Sequence, residues 1–254
     1  MKLENKTIVI TGGGRGLGAA MARRLAAQGC NIALVDLDEA TMAKTKAQCE
    51  MQGSSKVRTY VANVAVEAEV VKLFDEIVSE FQAVHGLVNN AGIMRDALTL
   101  KYKEGELISK MTLDQWQMVI DVNLTGVFLC GREAAARMIE LDCKGCIINI
   151  SSISRHGNMG QLNYSASKAG VQAMAVVWSK EFARYGLRSV SIAPGLIGTE
   201  MIMAMKPEAR EKLAKSIPLQ RVGDPDEVAK TAQFIFENDY VNGRCFEIDG
   251  GLRF

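Results

Sequence analysis

Tyr164 and Lys168 stand four residues apart in the stretch N-I-S-S-I-S-R-H-G-N-M-G-Q-L-N-Y-S-A-S-K, residues 149–168. Four residues is about one helical turn, so on a helix the phenol and the ammonium reach into the same space. A cation held there favours tyrosinate, and is expected to pull the phenol below its ordinary value of about 10. Tyr164 would then give and take a proton near neutral pH. The apolar run 146–150 just upstream ends in the hydroxyls of Ser151, Ser152 and Ser154, and a loop with Gly157 and Gly160 leads on to the tyrosine. Alone, the pair is a weak signal: with five Tyr and 16 Lys in 254 residues, Tyr-x-x-x-Lys arises by accident in roughly one such chain in three.

A second constellation lies at the other end of the chain. The β-branched run 6–11 is followed by Gly12-Gly13-Gly14-Arg15-Gly16-Leu17-Gly18 and an alanine-rich helical stretch to residue 28. In a strand, glycine turn and helix, the glycines let a diphosphate approach the backbone, and the helix N-terminus receives it with free N–H groups and a positive dipole end. The strand 31–35 ends at Asp36, 18 residues after Gly18 and close to the offset at which an acidic side chain meets the adenosine ribose. A carboxylate there accepts from both ribose hydroxyls and repels a 2′-phosphate, which favours NAD(H). Arg15 in the glycine turn points the other way, since a guanidinium could hold that phosphate and admit NADP(H). Asp36 is weighted more heavily because its charge lies against the 2′ position; Asp38 and Glu39 read as helix-start residues.

The elements that must carry these groups alternate along the chain. A helix over 38–52, a strand over 57–62, a helix over 67–81 and a strand over 87–89 predict a parallel sheet. Asn89-Asn90-Ala91-Gly92 closes that strand and reads equally as a cofactor border or a plain turn. Residues 98–110 alternate apolar and charged around Glu104-Gly105, which predicts a small hairpin, either against the substrate or as an exposed flap or subunit contact. Thr112 opens a long helix to 139 carrying Trp116, Asn123 and Phe128. Asn123, among Val122, Leu124 and Val127, needs partners if buried, and is either structural or orders a catalytic water. A strand over 145–150 delivers the serines, and Tyr164 starts a helix to about 185 in which Trp178 packs. A strand over 187–193 ends in the turn 194–199, helices cover 210–216 and 226–237, and a last strand covers 244–248 before Asp249-Gly250-Gly251. The predicted fold class is α/β: one domain spanning 1–254, a single doubly wound parallel sheet of about seven strands with helices on both faces.

Composition narrows the function. Apolar residues at 48% and charged residues at 23% are ordinary for a globular enzyme, and the net charge of +1 gives no long-range attraction to nucleic acid or to an anionic membrane. No apolar run approaches the ~20 residues that span a bilayer, and the N-terminus leads straight into a strand, so a cytoplasmic setting without a signal peptide is expected. Six Cys there are expected to be reduced thiols. Cys143-x-x-Cys146 lacks a second pair, and with only two His (His85, His156) no metal site is expected.

Together these motifs resemble the short-chain dehydrogenase/reductase family in its single-domain form, over essentially the whole chain. Its Thr-Gly-x-x-x-Gly-x-Gly stands as Thr11 to Gly18, its Asn-Asn-Ala-Gly as Asn89 to Gly92, and its mid-chain Asn as Asn123. Its Tyr-x-x-x-Lys is Tyr164 and Lys168, and its Pro-Gly turn is Pro194 and Gly195. The resemblance implies that Tyr164 protonates the substrate oxygen, Lys168 lowers the Tyr pKa and holds the nicotinamide ribose, a Ser polarises the carbonyl, and Asn123 anchors a proton-relaying water. It also implies cofactor contacts at Gly12, Arg15, Gly16, Leu17, Gly18, Asp36, Asn63, Val64, Asn90, Ala91 and Gly92, then at Pro194, Gly195, Ile197 and Thr199. Two departures stand out. Asn63-Val64 replaces the usual Asp-Val, leaving an amide oxygen to accept from adenine N6. Counting thirteen residues back from the Tyr selects Ser151 as the catalytic serine, whereas matching the strand end Asn-Ile-Ser-Ser selects Ser152, which is preferred because the strand fixes geometry; Ser154 is third.

Within the family, residues 157–164 and the tail 249–251 look most like bacterial 3-oxoacyl-carrier-protein reductases. That likeness implies reduction of 3-oxoacyl thioesters on acyl-carrier protein or CoA, usually with NADPH, and a homotetramer; Asp36 and the 98–110 segment depart from it. The alternative is an NAD-dependent dehydrogenase of another secondary alcohol, such as a small diol, sugar or hydroxyacyl-CoA. Side chains from 94–111, around His156 and from 196–205 are expected to shape the substrate pocket.

Overall fold

In the computed structural model, which describes residues 1–54 and 56–253, the β-branched run near the N-terminus forms β1 (Thr7–Thr11), buried along its whole length. The first half continues with α1 (Gly16–Ala26), β2 (Asn31–Asp36), α2 (Glu39–Met51), β3 (Val57–Val61), α3 (Glu67–Phe81) and β4 (Gly86–Asn89). An antiparallel hairpin, β5 (Leu100–Lys103) and β6 (Glu106–Lys110), stands apart from the main sheet. Then come α4 (Leu113–Ile120), a π turn (Asp121–Thr125), α5 (Gly126–Glu140), β7 (Cys146–Ile150), α6 (Leu162–Glu181) and β8 (Arg188–Pro194). The chain finishes with α7 (Glu200–Met203), α8 (Pro207–Lys215), α9 (Pro225–Glu237) and β9 (Cys245–Ile248).

Seven strands pair in the order β3-β2-β1-β4-β7-β8-β9, all in parallel. β1 lies between β2 and β4, so successive connections depart to opposite sides there and leave a crevice at the carboxyl ends of the strands. Both faces are covered, as a parallel sheet requires. Ile8, Ile10, Ile32 and Leu34 face α1, α2 and α9, whereas Val9, Ala33, Val35 and Leu87 face α3, α5 and α6. This alternation explains why the strands read as unbroken apolar runs. Phe74 on one side and Phe236 on the other are fully buried, each contributing about 2–3 kcal/mol of burial free energy.

The α/β fold class holds, and several boundaries move. The helix expected to begin at Tyr164 begins at Leu162, because the Asn163 side chain serves its first turn: Oδ1 accepts from Tyr164 N at 2.8 Å. The helix expected over 210–216 starts at Pro207, where a missing N–H and a preset φ cost nothing. Thr112 does open a helix, with a capping box to Gln115. The expected single helix to 139 is interrupted by the π turn, in which Gly126 N donates to Asp121 O. The hairpin over 98–110 forms as expected, with Glu104 and Gly105 both at positive φ. Every residue of β5 and β6 is exposed, which places it as a surface flap rather than a wall of the crevice.

All six cysteines are free, with Cys146 buried at the start of β7. Trp178 packs in the core and stacks on Phe182 at 6.0 Å. Among the described residues no helix is long and apolar enough to cross a membrane, and no cluster of three His, Cys, Asp or Glu could hold a metal ion.

Candidate active site

The crevice has two halves. In the first, the glycine turn between β1 and α1 is lashed to the end of β4. Asn90 Nδ2 donates to Thr11 O and Gly12 O, both at 3.0 Å, and Thr11 Oγ1 accepts from Asn90 N and Ala91 N at 3.0 and 3.1 Å. The contact is too close for side chains. A Cβ on Gly12, which has φ 62°, would fall 2.8 Å from Asn90 Nδ2, and one on Gly18 would overlap Gly12 O. A Cβ on Gly16 would touch Thr199, so the turn after β8 closes over the start of α1. The backbone N–H groups at that start are thereby left open to a ligand.

Asp36 ends β2 beside this turn. Its Oδ2 accepts from Gly14 N at 3.0 Å and its Oδ1 from Leu37 N at 2.8 Å, so the carboxylate is held in a fixed pose. Arg15 is the exposed residue before α1 and makes no ion pair among the described residues. Both border a cleft of about 360 Å³ that also reaches Asn63, Val64, Asn90, Ala91 and Gly92. Asn63 is partly committed, since its Oδ1 accepts from Ala65 N at 3.0 Å.

In the second half, β7 and α6 bring the serines and Tyr164 together around an adjoining cleft of about 290 Å³, with Lys168 buried next to it. Lys168 is 4% exposed and its Nζ donates to Ile150 O at 2.7 Å. Burial pushes its ammonium down to about 8. Its Nζ lies 5.6 Å from the Tyr164 ring centre. Burial pushes the Tyr164 phenol up, a hydrogen bond with Ser152 draws it partly back, and the charge of Asp96 raises it. This differs from the expectation that Lys168 would set the phenol low: in the protein alone burial is the largest influence on it and the group that draws it back is Ser152. The serines divide the work. Ser151 Oγ turns away from the cleft chemistry and donates to Lys168 O at 2.7 Å, Ser154 Oγ donates to Gln161 at 3.1 Å, and Ser152 faces Tyr164.

Asn123 is fully buried in the π turn and grips the main chain of Ile93 from both sides. Its Oδ1 accepts from Ile93 N at 2.8 Å and its Nδ2 donates to Ile93 O at 2.9 Å. The side chain is therefore fully committed to positioning the segment after Gly92, and a Cβ on Gly92 would stand 3.3 Å from Asn123 and 3.6 Å from Lys168 Nζ. Pro194, Gly195, Ile197 and Thr199 border the catalytic cleft, where Gly195 N donates to Ile248 O and Thr199 N to Ile197 O. Leu17 reaches the same cleft from α1. The same cleft is lined by Met94, Asn158, Gln161, Leu196 and Ile202, and by none of residues 98–110 or His156.

Sequence reasoning missed three positioning groups. Asn163 Nδ2 donates to Arg95 O and Gln115 O, tying the start of α6 to two other segments. Gln161 links Asp96, Asn158 and Ser154. Arg155 is buried against Glu247. The only local sign was polar residues next to Tyr164; apart from Asn158 and Ser154, their partners lie dozens of residues away.

The first cleft fits a dinucleotide. Its glycines meet backbone where a side chain would close the cradle, its helix start faces inward, and a carboxylate ends β2. Comparison with known proteins agrees. A family model described as Enoyl-(Acyl carrier protein) reductase matches residues 12–253. The chain is 38% identical to a 3-oxoacyl-[acyl-carrier-protein] reductase of Thermotoga maritima over 256 residues, covering 99% of each. It is 36% identical to a (3R)-3-hydroxyacyl-CoA dehydrogenase of Canis lupus familiaris, covering 99% of this chain and 98% of the other. A crystal structure of an Agrobacterium tumefaciens protein described as a gluconate dehydrogenase superposes with TM-score 0.88 at 33% identity, covering 98% and 96% of the two chains.

Proposed function

This chain belongs to the short-chain dehydrogenase/reductase family of oxidoreductases, and we propose that it reduces 3-oxoacyl thioesters, on acyl-carrier protein or CoA, to 3-hydroxyacyl thioesters with NADH. The observation that carries the mechanism is the meeting of Ser152 and Tyr164 at one cleft whose other wall is apolar, from Leu17, Ile150, Leu196 and Ile202, with the buried Lys168 Nζ 5.6 Å from the Tyr164 ring centre.

A nicotinamide dinucleotide, when bound, would supply the hydride. The protein does the rest. The Ser152 hydroxyl donates to the substrate carbonyl oxygen and stabilises the charge developing there. The Tyr164 hydroxyl delivers its proton to the same oxygen, and the Lys168 cation offsets the phenolate that remains. The Tyr164 phenolate regains its proton from the side of Lys168, whose ammonium burial lowers to about 8. Gly12, Gly16, Gly18 and the start of α1 would hold the diphosphate, and Asn90, Ala91, Gly92, Ile197 and Thr199 would border the nicotinamide half.

Asp36 supports NADH over NADPH, because its carboxylate faces the cleft where a 2′-phosphate would sit. The same residue favours one second reading, an NAD-dependent dehydrogenase running toward oxidation of a hydroxyacyl-CoA or another secondary alcohol. A homotetramer is part of the proposal, since Met118, Phe128 and Val177 stand exposed on α4, α5 and α6.

A screen following NADH and NADPH oxidation over acetoacetyl thioesters and small ketones, with Tyr164→Phe alongside, tests these readings. Turnover of acetoacetyl thioesters that falls at least ~100-fold in Tyr164→Phe supports them. Unchanged turnover in that variant rejects the mechanism, and activity confined to other ketones rejects the substrate.

A further inference from the structure

Arg155 is a charged residue held where charge is costly, with its side chain 5% exposed. It follows Ser152 in the short 3-10 turn Ile153–His156, for which Ser152 is the N-cap. The Ser152 carbonyl accepts from it twice, from Arg155 N and from Arg155 Nη1, each at 3.1 Å. Arg155 Nη2 pairs with Glu247 Oε1 on β9, 92 residues away. Glu247 in turn receives Arg253 at 2.8 Å on its second oxygen, and Arg253 also pairs with Asp249. His156 Nε2 approaches the shared oxygen at 3.5 Å. Burial raises the Glu247 carboxyl, but its bonds to Arg155 and His156 and the charges of Arg155 and Arg253 outweigh that, so it stays ionised in the neutral range. β9 pairs only with β8 and also accepts from Gly195 N. The edge strand thus braces two opposite walls of the catalytic cleft.

We propose that Arg155 is a positioning residue for Ser152: its pair with Glu247 fastens the turn that carries the Ser152 hydroxyl to the edge strand β9, and so sets that hydroxyl against Tyr164. The proposal rests on the roles given above to Ser152 and Tyr164. The charged groups facing Tyr164 are Lys168 from α6 and Asp96 from the segment before the hairpin, and neither bonds to Arg155. The Ser152 bond is what counters burial of the phenol, so a turn freed from β9 raises the phenol further.

The test is the pH dependence of kcat for alcohol oxidation in the unmodified enzyme, Arg155→Met, Arg155→Lys, Glu247→Gln and Tyr164→Phe, with rates counted per cofactor-binding site. Arg155→Met and Glu247→Gln are expected to lower kcat at pH 7 about tenfold, leave the cofactor KM within about twofold, and move the inflection of kcat to higher pH. Arg155→Lys, which can reach Glu247 or the Ser152 carbonyl but not both, falls between. If Arg155→Met does not fold, Glu247→Gln decides. A lower melting temperature with an unchanged inflection and unchanged kcat per site makes Arg155 a plain brace and overturns the proposal. Retained turnover in Tyr164→Phe overturns the reading of the site instead.

Discussion

Lys168 Nζ donates to the Ile150 carbonyl at 2.7 Å, so the cation of α6 is held by the strand end that delivers Ser152. No carboxylate pairs with it among the described residues, and burial alone lowers its pKa to about 8. The candidate site therefore keeps a strained charge beside the tyrosine, at a cost to folding.

That cost predicts opposite effects on activity and stability. Lys168→Met should abolish turnover yet raise stability at pH 7 by roughly 1–2 kcal/mol, the gain from removing a buried charge less the lost bond to Ile150 O. The folded-state pKa lies below the unfolded value, so the penalty is complete below about pH 8 and fades as pH rises toward 10.5. Urea melts at pH 7 and pH 10 check this, and a variant less stable at pH 7 refutes it.

Ser151 and Ser152 should separate by phenotype. Ser152→Ala removes the hydroxyl facing Tyr164 and the cap it gives Ser154 N at 3.1 Å, and is expected to lower kcat by about 10²–10³ at a stability cost of about 1 kcal/mol. Ser151→Ala breaks a buried bond to Lys168 O, costing about 1 kcal/mol of stability while kcat holds within roughly tenfold. Reversed effects on kcat would assign the carbonyl contact to Ser151.

Asp36 combines charge and geometry, and two substitutions divide them. Asp36→Asn loses the charge but keeps an oxygen for one of the two N–H groups, Gly14 N or Leu37 N, so the preference for NADH over NADPH should narrow at a stability cost of about 1 kcal/mol. Asp36→Ala should narrow or reverse it and lower the melting temperature further. The ratio of kcat/KM for the two cofactors is the measurement; better use of NADPH by the unmodified enzyme gives Arg15 the greater weight.

Acid sensitivity should trace in part to His85. Burial, with the nearby Lys6, lowers its imidazole to about 4, and Nδ1 accepts from Thr7 N at 3.2 Å. Because the folded pKa lies below the unfolded one of 6.5, its contribution is complete above pH 6.5 and is lost as pH falls toward 4, roughly 2 kcal/mol after allowance for partial exposure. His85→Gln, whose amide oxygen can still accept from Thr7, should flatten the melting temperature between pH 6.5 and 4. An unchanged slope removes His85 from the account.

Much of this architecture is legible in one dimension because the determining interactions are local. A glycine turn between strand and helix, an acid 18 residues on, and a tyrosine and lysine one helical turn apart are patterns within single elements. The alternation of apolar strands and amphipathic helices likewise predicts a doubly wound sheet, and the seven parallel strands follow.

Other features exist only once distant segments meet. The hydroxyl that faces Tyr164 depends on where β7 ends relative to α6, and the direction in which the phenol shifts depends on how much wall surrounds it. The π turn holds Asn123 where its amide grips Ile93, 30 residues earlier, and every residue of the hairpin strands is exposed. Periodicity encodes which residues face inward along one element. It carries no information on the low dielectric, the partly buried ion pair of Arg155 and Glu247, or the hydrogen bonds that form between elements, and the tertiary structure alone decided those.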